Sequence, residues 1–68
     1  MANQTITERA GFEAGIRNAN ARIMRLEGQL EDTSDYSELS YIRWRIRQEQ
    51  YRIEQFTRML SALDRRAS

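Results

Sequence analysis

Residues 43 to 66 hold seven arginines (Arg43, Arg45, Arg47, Arg52, Arg58, Arg65 and Arg66) against three carboxylates, Glu49, Glu54 and Asp64, with Tyr41, Trp44 and Tyr51 beside or among them. Guanidinium groups interleaved with large rings are the mixture that grips phosphates while stacking bases. Trp, Tyr and Arg are also the side chains that dominate protein–protein hot spots. Tyr41, Trp44, Gln48, Tyr51, Gln55 and Arg58 recur at intervals of 3, 4, 3, 4 and 3 residues, which places them along one side of a helix. With the neighbouring Arg47, they are the predicted partner-binding face. Self-association is the first reading of that face, capture of a foreign protein the second, and binding of RNA or DNA the third.

Glu49 is the second residue with chemical potential. It falls where the apolar pattern of its segment asks for a hydrophobic side chain, and a buried carboxylate needs partners. Arg45 lies four residues before it and Arg52 three after, so both can reach it on one helix. The expected role of the trio is to set register or oligomeric state, as a buried polar group does in coiled coils. Glu27 is a further acid within reach of the arginines beside the seam.

Little else offers catalytic chemistry. The chain has no cysteine and no histidine, which removes disulfides, thiol and imidazole nucleophile systems and the usual zinc ligand sets. Neither a glycine-rich phosphate loop nor a carboxylate pair with metal-ligand spacing is present. The expectation is a non-enzyme with no cofactor, no metal and no small-molecule substrate. The longest apolar run is two residues, so neither a membrane span nor a secretion leader is expected, and a soluble, cytoplasmic setting fits. Net charge is only +1, and every one of the eleven basic residues is Arg. Such a balance does not suit a polycation that coats nucleic acid. Small size and absence of lysine fit the single-purpose proteins of phages and other mobile elements.

The elements that would carry these residues follow from periodicity. Phe12, Ile16, Ala19, Ile23, Leu26 and Leu30 are separated by 4, 3, 4, 3 and 4 residues, the spacing of a coiled-coil seam. Leu39, Ile42, Ile46, Glu49, Ile53, Phe56, Leu60 and Leu63 continue the alternation with one polar intruder. Between the two runs lies the polar cluster Glu31 to Asp35, in a chain without proline, so a break is expected there. Helix one is predicted over about 6 to 31, the turn over about 32 to 35 and helix two over about 36 to 65. Thr5 or Thr7 is the expected cap of the first helix. Ser34 or Asp35 is that of the second, with Glu38 completing a capping box.

A short polar connection between two matched seams predicts an all-α antiparallel hairpin in a single domain spanning 1 to 68. Folding about residues 35 to 36 stacks Leu30 on Ile42, Leu26 on Ile46, Ile16 on Phe56 and Phe12 on Leu60, and puts Glu27 near Arg43 and Asn20 near Gln50. Sixty-eight residues bury too little to be comfortable alone, and dimerisation into a four-helix bundle is the simplest completion. Ala10, Ala14, Ala21 and Gly28, with Gly11 and Gly15 beside them, form a strip opposite the seam of helix one and suggest close approach by a partner helix. The arrangement resembles that of the small plasmid-encoded Rop-type RNA-binding hairpins, short two-helix chains that dimerise. That resemblance lies in the helix arrangement, carries no residue motif, and implies nucleic-acid binding as the alternative function.

Overall fold

The computed structural model describes residues 2–67, with side chains from 6 to 66. Two α-helices, α1 (Ala2–Asp32) and α2 (Tyr36–Ala67), are joined by residues 33–35 and pack against each other as a hairpin. α1 begins four residues earlier than the periodicity predicts. Thr5 and Thr7 therefore lie inside the helix and are not its cap; the Thr5 side chain is outside the described set. No proline or glycine precedes Gly11, so nothing in the local sequence halts the helix at Thr5.

The turn is held by a short relay. Thr33 Oγ1 accepts the Asp35 backbone N–H at 3.3 Å and donates to Glu38 Oε2 at 2.6 Å, while Leu39 N–H closes the first helical turn on the Asp35 carbonyl at 2.9 Å. Glu38 thus reaches the start of α2 through the Thr33 hydroxyl, a modification of the expected capping box. α2 also carries Glu38 in its first turn and Arg65 and Arg66 in its last, the charge signs that a helix dipole favours at each end.

Cross-helix contacts set the register. Arg22 meets Glu49, Gly15 meets the Phe56 ring, and Arg9 pairs with Asp64. The first two pairs centre between residues 35 and 36, as the seam spacing predicts, and the third, at the far end, centres one residue later. The Phe56 ring also tilts toward Phe12, with centroids 6.1 Å apart. It lies over Gly15 because a Cβ there would come within 2.6 Å of it. Gly15 is therefore a packing residue of the hairpin itself, not part of an outer strip. Space around Gly11 and Gly28 is open.

Coverage of the seam is uneven. Its side chains fall into two heptad rows. Ala19, Leu26, Ile42, Glu49 and Leu63 of the first row are buried, with the larger Phe12 and Phe56 half-buried. The second row, Ile16, Ile23, Leu30, Leu39, Ile46, Ile53 and Leu60, is half-buried at every position. The helices are thus rolled toward the edge that carries Gly15, Arg22 and Arg45, and the opposite edge stands open. The hairpin measures 51 × 14 × 12 Å with a radius of gyration of 15.7 Å, whereas a compact chain of this length has about 11 Å. It exposes 5410 Å², against about 4,500 Å² for a globular monomer of the same mass.

Candidate partner-binding faces

Glu49 is 5% exposed and sits on the inner side of α2. Arg22 Nε of α1 donates to its Oε2 at 2.9 Å, and Arg52, one turn further along α2, brings Nη1 to 4.0 Å of Oε1. A guanidinium that crosses the seam and a second on the same helix together satisfy the buried carboxylate. Arg45, expected beside Glu49, turns the other way: its Nη1 donates to Tyr41 Oη at 3.3 Å, and its guanidinium lies 5.9 Å from the centre of the Tyr41 ring. The reason is reach. At four residues' separation Tyr41 offers Arg45 both an oxygen and a π face, while Arg22 already occupies the approach to Glu49. Arg22 was not singled out by reasoning within α2 alone. The signal was nevertheless present, because the register sets Ile23 opposite Glu49 and Arg22 is its neighbour.

The outer aromatic face is assembled along the first half of α2. Tyr41, Trp44 and Tyr51 are 57%, 53% and 59% exposed. Tyr41 and Trp44 stack with centroids 6.2 Å apart and an interplanar angle of 26°. The Tyr41 ring thus contacts both Trp44 and Arg45. Gln48, Arg47 and Arg58 are exposed on this side of the helix, and Gln55 is half-buried. Two shallow grooves border Trp44. One is lined by Ser40, Arg43, Trp44 and Arg47; the other runs between the helices past Arg22, Arg45, Gln48 and Arg52.

The aromatic residues and Gln48 face away from the open seam edge. On an α-helix, Tyr41, Trp44, Gln48 and Tyr51 project on the side opposite Leu39, Ile46 and Ile53. The hairpin therefore has two distinct exposed faces: an apolar edge formed by both helices, and an aromatic, arginine-bordered surface formed mainly by α2. The flanks of the open edge carry exposed charges, Arg17 and Glu27 from α1 and Arg43 and Glu54 from α2. Met24, 72% exposed, lies on the same flank and had not stood out in the sequence because it falls outside both seam rows.

Arg9 pairs with Asp64 at the end remote from the turn, and the hydrogen bond and charge of Asp64 raise the Arg9 pKa above its ordinary value. Among the described residues, no group of acidic side chains is gathered closely enough to hold a metal ion, and no helix is long and apolar enough to cross a membrane. Comparison with models of known protein families, with curated proteins and with solved structures yields no significant match.

Proposed function

We propose that this chain is a non-enzymatic interaction protein, an adaptor or small regulator that presents the outer face of α2 to a larger partner protein. The observation that carries this reading is the cluster of three large, exposed aromatic rings on one helix face, with Tyr41 in contact with both Trp44 and Arg45. Aromatic side chains that already contact one another lose less conformational freedom on binding, and Trp, Tyr and Arg are the types that become hot spots. The half-covered apolar edge supports association as well, and moves self-association from the aromatic face to the opposite side of α2. A cytoplasmic setting without cofactor belongs to the same proposal.

Nucleic-acid binding is the second reading, favoured by the groove that Arg43, Trp44 and Arg47 share. Three facts weigh against it. Arg45 is engaged by Tyr41, Arg22 and Arg52 are engaged by Glu49, and the whole chain carries only +1.

The test compares immobilised wild-type protein with Trp44→Ala/Tyr51→Ala in lysate of the producing cell, with bound proteins identified by mass spectrometry. A discrete protein retained by the wild type and depleted about tenfold or more by the variant is expected, since truncating two hot-spot rings costs ~2 kcal/mol or more. Identical retention would make this face ordinary surface. Trp44, the single tryptophan, also reports on the alternative: a salt-sensitive change in its emission on adding RNA oligonucleotides would select the nucleic-acid reading.

A further inference from the structure

The open seam edge has an occupant that its own chemistry specifies. We propose that a second copy of this chain docks on the half-covered row running from Ile16 to Leu60, with the two turns at the same end. In this arrangement Glu27 faces the partner's Arg43, and Arg17 faces the partner's Glu54. The inference deepens the reading of the chain as an interaction protein and rests on it.

Two observations argue for a second copy. The first is area. The hairpin exposes 5410 Å², roughly 900 Å² more than a globular monomer of its mass, and a standard interface removes about 800 Å² from each partner. The second is that the row is continuous and made only of Ile and Leu from both helices. Two such rows brought together reproduce the interdigitated core of a four-helix bundle, at the spacing each hairpin already uses internally.

Flanking charges decide the orientation. With turns at the same end, each α1 runs antiparallel to the partner's α2, in the register it holds with its own α2. Glu27 then lies opposite the partner's Arg43, Arg17 opposite the partner's Glu54, and Asn20 opposite the partner's Gln50. All six positions are exposed in the hairpin. With turns at opposite ends, α1 meets α1 and α2 meets α2. Neither of the pairings Glu27 with Arg43 and Arg17 with Glu54 can then form across the interface, because each joins α1 of one copy to α2 of the other. Opposite charges across an interface select register and orientation, and like charges oppose it. The first arrangement has two attractive pairings per copy and no repulsive one.

The test reads mass, distance and charge rescue. Ser34→Cys places one spin label in the exposed turn of a chain with no other cysteine. Sedimentation equilibrium should return twice the chain mass of 8.1 kDa. Pulsed electron paramagnetic resonance should give label separations on the order of 20 Å, set by the width of a bundle with 8–10 Å between axes. A separation near the 51 Å length of the hairpin would overturn the orientation, and a folded monomer would overturn the docking. Glu27→Arg should weaken the dimer about tenfold, and Glu27→Arg/Arg43→Glu should restore it; failure of the double variant to recover, with unchanged helical circular dichroism, would also overturn the pairing. A monomer that still captures a partner through Trp44 and Tyr51 would remove this inference and leave the proposed function standing. A dimer that captures nothing would do the reverse.

Discussion

At the scale of single residues the decisive contact is Arg22 with Glu49, because a carboxylate left alone inside an apolar seam is far more costly than one with a partner. Arg22→Ala removes that partner from a carboxylate that is only 5% exposed in the native hairpin. Since Arg22 is itself 35% exposed and Arg52 remains nearby, the expected loss is roughly 1–3 kcal/mol, read as a lower urea midpoint at unchanged slope. Glu49→Leu should act in the opposite direction, raising the midpoint, because packed apolar side chains often match or exceed a buried ion pair; its mass distribution in sedimentation should broaden as the polar marker of register is lost. A large loss of stability in Glu49→Leu would mean instead that the network is essential to the fold. Glu49 was conspicuous in the sequence because it interrupts an apolar period. Its true cross-seam partner required the register as well as the spacing. Arg45 shows the limit of distance along one helix as a guide, since two acceptors lay within reach and the one offering a ring as well as an oxygen won.

Among the elements, the glycines of α1 separate what is tolerated from what is needed. Gly11 and Gly28 face open space, so Gly11→Ala and Gly28→Ala should each raise the melting temperature, in keeping with a helix-propensity gain of ~0.8–1 kcal/mol. Gly15→Ala gains the same propensity but drives a methyl group to 2.6 Å from the Phe56 ring. Overpacking of this kind costs ~1–3 kcal/mol, so this variant alone should melt lower than wild type; a rise equal to that of the other two would show that Phe56 moves aside freely. Both helices and the turn were legible in the sequence, since the alternation of 3 and 4 residues runs from Phe12 to Leu30, breaks, and resumes from Leu39 to Leu63, a pattern that fits two helices and a turn. The start of α1 was not, because no proline or glycine lies near Thr5 to make the helix stop there. Nor was the role of Gly15, which depends on where a ring 41 residues away comes to rest. The aromatic face could be listed residue by residue from spacing, whereas the roll of the helices that leaves the Ile16 to Leu60 row half-covered is a property of packing that periodicity does not contain.

For the molecule as a whole, the two ends of the hairpin differ in kind. Near the turn, α1 and α2 are joined by three residues and held by the Thr33 relay. At the far end Leu63, only 3% exposed, lies beside the Arg9–Asp64 pair. Closing a contact beside a three-residue connection demands little chain entropy, and each further layer adds little more once the previous one is formed. Assembly of the hairpin is therefore expected to travel outward from residues 33 to 35 and to bury Leu63 last. A side chain buried after the rate-limiting step affects how fast the native state is lost, not how fast it is gained. Leu63→Ala should accordingly accelerate unfolding in stopped-flow experiments while leaving the refolding rate within about twofold of wild type, a φ value near zero. Slowed refolding of comparable size would place the nucleus at the far end. The buried leucine at the open end thus governs the lifetime of the closed hairpin, a kinetic latch on a structure whose formation begins elsewhere.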